Sequence, residues 1–193
     1  MEAPPSVSDL PGHIYAYELR GPPSEPVALK VGRATNVKNR LGEWGRQCAK
    51  EVVLRGLWPP PEGTRERDAS LLRGRLKPGD KARCSHRLER LIHLELADIS
   101  VYSTHLTPEF LAPFPGHLNG AVPASPASPA GKKKPVRRPL TPCEECGKLH
   151  REIFTFERAS RGKVKGKEWE EVVWPVMERW GRFVEMVYED DVE

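Results

Sequence analysis

The sequence predicts an α/β (α+β) domain, a small antiparallel sheet flanked by helices, with a disordered insertion and a C-terminal helical segment. Three observations carry that reading. Short β-rich runs stand on either side of Gly/Pro breaks near the N-terminus; apolar residues recur at helical spacing in three later stretches; and a long Pro/Ser/Lys-rich tract separates the last two of these. At 193 residues the chain is long enough for one domain with a real core plus tails.

Residues 1–11 are Pro-rich and read as a disordered N-terminus. Gly12 to Leu19, GHIYAYEL, reads as a strand in which Ile14 and Ala16 alternate with Tyr15 and Tyr17, both faces partly buried. Gly21, Pro22 and Pro23 break it, and Val27 to Gly32, VALKVG, is a second strand. The short connection favours antiparallel pairing. Thr35 or Asn36 can cap a helix that runs to about Trp44, with Val37, Leu41 and Trp44 on its apolar face and Gly45 to end it. Glu51 to Trp58 is a third strand, stopped by Pro59, Pro60 and Pro61. Ser85 to Ala97 forms a helix striped by Leu88, Leu91, Ile92 and Leu96.

Residues 104–142 hold a PASPASPAG tract followed by KKKPVRR, a composition that reads as a disordered insertion. His150 to Phe156, HREIFTF, is a fourth strand. The domain therefore comprises residues 12–103 and 143–160, followed by a helical segment at 167–188. In that segment Trp169, Val172, Val173, Val176, Trp180, Phe183 and Val187 recur at helical spacing, and Pro175 should kink or split the helix. Core packing accounts for this stripe most simply; a partner-binding helix is the sharper alternative.

A charged fraction of 30% and a mean hydropathy of -0.58 fit a soluble protein, and no apolar run reaches the roughly 20 residues of a membrane span. No secretory signal is visible, so an intracellular location is expected. Lys132, Lys133, Lys134, Arg137 and Arg138 supply more than the whole net charge of +4, and this run suits a nuclear import signal or unspecific phosphate contact. Lys30, Arg33, Lys38, Arg40, Arg46 and Lys50 stand against the single acid Glu43, whereas residues 167–193 are strongly acidic. A basic front with an acidic tail fits a polyanion-binding face, and ordinary surface charge is the plainer explanation.

Cys143, Cys146 and His150 have the donor types and spacing of a zinc site. Cys84, at the head of the long helix, is the preferred fourth ligand on grounds of sulfur softness, with His93 as the alternative. A pair of thiols in a turn is the bland reading.

The order GHIYAY, LKVGRATNVKNRLGEW, HRLERLIHLEL, HREIF resembles the GIY-YIG nuclease-like superfamily. More narrowly it is similar to the phage-type DNA-binding domain (the T-five phage open-reading-frame family) and its fungal relatives, in which a Cys-x-x-Cys-Gly-Lys-x-His stretch precedes the last strand. The resemblance covers about residues 12–156, less the insertion. It implies that Ile14 and Tyr15, with His13 just before them, end the first motif, and that Val31 and Gly32 end the second, with Lys30 where the family has tyrosine. It implies that Arg40 is the helical arginine and that Glu89 is the carboxylate that holds a divalent metal in the nucleases. A tyrosine can relay a proton, an arginine can stabilise phosphorane charge, and a carboxylate can hold Mg²⁺. Lys30 can hold phosphate but accepts protons poorly unless its pKa falls. Without the resemblance, Tyr15 would pass as a sheet aromatic, Arg40 as a solvated residue, and Glu89 with His93 as a surface pair. The expectation is a DNA-binding protein with weak or absent cleavage, its DNA contacts being Lys30, Arg33, Lys38, Arg40 and Arg46. An active Mg-dependent endonuclease is the first alternative and a zinc-stabilised protein-interaction module the second.

Overall fold

The computed structural model describes residues 6, 8–47, 51–61, 79–107, 110, 143, 146, 147, 149, 150 and 152–188. The KKKPVRR run, the PASPASPAG tract, Cys48 and Lys50 lie outside the described residues. Four strands form one antiparallel sheet: β1 (His13–Leu19), β2 (Val27–Ala34), β3 (Val52–Trp58) and β4 (Ile153–Phe156), in the order β3-β1-β2-β4. Among the described residues three α-helices accompany them: α1 (Val37–Gln47), α2 (Ser85–Tyr102) and α3 (Trp174–Tyr188). The predicted α+β class is therefore the observed one.

Period-two alternation divides the core. Ile14 and Ala16 of β1 and Val27, Leu29 and Val31 of β2 pack with Leu88, Ile92, Leu96 and Ile99 of α2 and with Val176, Met177 and Val184 of α3. Tyr15 and Tyr17 point to the opposite face, where Val37 and Trp44 of α1 and Leu57 of β3 enclose them. So α1 covers one face of the sheet and α2 with α3 the other. No described helix is long and apolar enough to cross a membrane.

Several boundaries differ from the sequence expectation, each for a physical reason. Helix α1 runs through Gly45 to Gln47: Trp44, buried against the tyrosines, anchors that turn and outweighs the roughly 1 kcal/mol cost of a mid-helix glycine. Helix α2 continues past Ala97 because Ile99 extends its stripe, and Ser103 ends it in the left-handed region at φ 51°. The first residues assigned to the insertion are ordered: Thr104–Leu106 form a 3-10 turn, and buried His105 sets its Nε2 2.9 Å from the Glu157 carbonyl. The N-terminal tail is ordered at its end. Asp9 accepts the His86 and Arg87 backbone N–H groups at 2.7 and 3.0 Å, and Ser85 Oγ donates to the Leu10 carbonyl at 2.7 Å. This long-range cap replaces the local one that Cys84, at φ 48°, does not provide.

The C-terminal stripe is core. Pro175 lies inside a helical run that is continuous from Glu168, and the wider π-helical turn Trp169–Val173 just before it accommodates the ring and the missing N–H. The split expected at Pro175 is thus a change of helix type one residue earlier.

Candidate functional site

An open cleft of about 460 Å³ lies at the end of β2, beyond the point where β4 stops pairing at Lys30↔Ile153. Arg33 and Ala34 come from β2, Thr35, Asn36, Asn39, Arg40 and Glu43 from the entry into α1, Tyr15 from β1, Glu89 from α2 and Glu152 from just before β4. The three residues expected to carry chemistry, Tyr15, Arg40 and Glu89, thus line one cavity although they are up to 74 residues apart. The Asn36 side chain accepts the Asn39 N–H at 3.1 Å, which starts α1 at the cleft wall and holds Arg40 one residue further on.

Tyr15 is 1% exposed and stacks on Tyr17, ring centroids 5.8 Å apart. Burial pushes its hydroxyl above the ordinary phenol value, against the opposing hydrogen bond and charge of Arg40. The hydroxyl therefore stays protonated at neutral pH, a donor and relay rather than a phenolate. Arg40 bonds Glu43 at 2.9 Å as well as Tyr15, and both partners favour its charged form. Glu89 pairs with Arg33 at 3.1 Å and is only 19% exposed.

Gly32 is required by this arrangement. A Cβ there would stand 2.7 Å from the Tyr15 hydroxyl oxygen and 2.9 Å from Cζ. The Tyr17 stack limits how far the Tyr15 ring can retreat. Gly32→Ala is expected to cost about 1 kcal/mol of stability and to pull the Tyr15 hydroxyl from Arg40. Urea denaturation checks the first; unchanged stability would mean that the ring moves freely.

Lys30 does not meet its expectation. It is 2% exposed, its Nζ lies 3.9 Å from the Trp44 ring centroid, and it forms an ion pair with Glu152. Unlike Tyr15 it does not line the cleft, and Trp44 and Glu152 cover its ammonium. Burial lowers its pKa, against the hydrogen bond and charge of Glu152, which raise it. Burial raises Glu152 in turn, but the Lys30 hydrogen bond and charge outweigh this and keep the carboxylate below its ordinary value. Lys30 holds a cleft carboxylate from beneath. Of the other expected DNA contacts, Arg33 and Arg40 line the cleft, while Lys38 and Arg46 are exposed on α1.

Glu152 is the cleft residue that the sequence reading missed. Its signal was present: it sits in the HREIF segment, and a lysine within a strand buried on both faces needs a carboxylate partner. His13 is also buried, which lowers its pKa, and it is not a cleft residue.

The donor atoms of Cys143, Cys146 and His150 lie within 4.8 Å of one another, with Cys146 Sγ 3.2 Å from His150 Nε2. Two soft sulfurs and an imidazole at this separation suit zinc. Neither Cys84 nor His93 belongs to the group. The sheet separates them: Cys143 and Cys146 pack on the Tyr15/Trp44 face, and Cys84 on the α2 face. His93 instead places Nε2 2.9 Å from the Val31 carbonyl and its ring 5.3 Å from that of Phe154.

Residues 26–108 match the model of the family described as meiotically up-regulated gene 113. That stretch takes in β2, α1, β3 and α2, and so carries Arg33, Arg40 and Glu89 of the cleft but not Tyr15 or Glu152. No curated protein and no solved structure matches the chain.

Proposed function

We propose that the cleft binds a phosphodiester of DNA through a divalent cation, on a GIY-YIG nuclease-like domain of the phage-type DNA-binding kind. The observation that carries this reading is the convergence of Tyr15, Arg40 and Glu89 on one open cavity. The charge there decides the form that binding takes. Two guanidinia, Arg33 and Arg40, face three carboxylates, Glu43, Glu89 and Glu152, and Lys30 beneath Glu152 brings the balance to zero. Arg33 is already paired with Glu89 and Arg40 with Glu43, so a bare phosphate meets no surplus positive charge, and a hard cation such as Mg²⁺ between it and Glu89 supplies it. Arg40 and the protonated Tyr15 hydroxyl then donate to the phosphate oxygens, and exposed Lys38 and Arg46 reach neighbouring phosphates. A nuclear location, which rests on the KKKPVRR run, suits a DNA partner.

Hydrolysis is the second reading, favoured by Glu152, a carboxylate beside Tyr15 that can accept a proton from attacking water. With Lys30 buried where the resembled family has tyrosine, that step is slow. In anisotropy titrations of a labelled duplex with Mg²⁺ present, affinity should fall steeply with salt, and Arg40→Ala should flatten the log–log slope by about one. Unchanged slope and affinity in the variant would remove Arg40 from the interface. Efficient Mg²⁺-dependent nicking, lost in Glu89→Ala, would promote the endonuclease.

A further inference from the structure

The Cys/His cluster and the cleft are ends of one short piece of chain. Gly147, at φ 67°, turns the backbone after the second cysteine, and its N–H donates to the Cys143 carbonyl at 2.8 Å. That turn aims both sulfurs at one point. The His150 ring lies 4.9 Å from Trp44, and the same indole carries the Lys30 ammonium, 3.9 Å from its centroid. Lys30 pairs with Glu152, only two residues beyond His150, and the Glu152 carbonyl accepts the Val31 N–H at 3.2 Å. Regular structure resumes only at Ile153, and Cys143 and Cys146 pack on the same Tyr15/Trp44 core.

We infer that Cys143, Cys146 and His150 bind one thiophilic divalent ion, zinc by donor chemistry, and that this ion seats Glu152 in the cleft. Bound metal fixes the His150 ring against Trp44. Trp44 roofs Lys30, and Lys30 together with the short tether to His150 sets the Glu152 carboxylate. The metal thereby controls the composition of the cleft from the opposite end of the segment. Its consequence for DNA rests on the phosphodiester reading; the site and the seating do not.

The test therefore uses no DNA. The 193-residue chain purified without chelator should hold about one zinc per chain. Cobalt substituted for it should give thiolate-to-metal charge-transfer absorption, which Cys146→Ser abolishes. Hydrogen exchange reads the seating through the Val31 amide. Stripping the metal should speed exchange there by about tenfold or more, while amides between β1 and β3 hold. Zinc should restore protection and Mg²⁺ should not, a comparison made on wild-type chain that stands even if the variant fails to fold. Absence of thiolate-bound metal sinks the site. Metal that binds without changing Val31 exchange sinks the seating.

Discussion

Glu89→Ala is expected to weaken the apparent affinity of the protein–DNA complex for Mg²⁺ about a hundredfold, with the fold intact. The carboxylate lies in the cleft, 19% exposed, 3.1 Å from Arg33. If its role is to hold the cation, its loss removes the main reason for DNA to prefer the metal-loaded form. Binding without Mg²⁺ should improve in the variant, because one negative charge facing the phosphate is gone. If Glu89 merely pairs with Arg33, the variant should alter affinity equally with and without Mg²⁺, and Arg33→Ala should shift it the opposite way at every Mg²⁺ concentration. Magnesium titrations of DNA binding in the two variants separate these outcomes.

Gly181→Ala should be among the most damaging single substitutions in the scaffold. A Cβ at this position of α3 would lie 2.0 Å from Trp58 Cε2 and 2.2 Å from its Nε1. Trp58 is 3% exposed and its ring packs 6.1 Å from that of Trp174, so neither the ring nor the helix can yield cheaply. The expected loss is about 3 kcal/mol, the upper end of ordinary overpacking. Gly42→Ala on α1 is the control. Its Cβ would meet nothing closer than the Arg46 guanidinium at 3.5 Å, so it should stabilise by about 0.5 to 1 kcal/mol through helix propensity. Urea denaturation of both variants measures the contrast, and equal stabilities would mean that α3 does not dock on β3 as described.

What the sequence made legible was whatever its local periods encode. Alternation in GHIYAYEL sorts Ile14 and Ala16 from Tyr15 and Tyr17, and the two sets do enter different cores. The helical stripe of Leu88, Ile92 and Leu96 does face the sheet. The resemblance brought Tyr15, Arg40 and Glu89 together as candidates, and they share a cleft. What failed was anything set by which face an element covers. Sulfur chemistry nominated Cys84, and only the placement of α2 across the sheet from Cys143 removes it. Charge counting put Lys30 on a DNA surface, although the same alternation that buries Tyr17 buries the lysine paired across from it. The Asp9 cap was invisible because its partners lie 77 and 78 residues away.

The most direct measurement is the affinity of the wild-type chain for a linear duplex as Mg²⁺ is raised at constant ionic strength. For a binding face made only of lysines and arginines, Mg²⁺ competes for the phosphates and affinity falls. For a cleft in which the cation bridges Glu89 to a phosphate, affinity should rise by about tenfold or more before competition sets in. A monotonic fall, or no DNA binding at any Mg²⁺ concentration, would contradict the central claim.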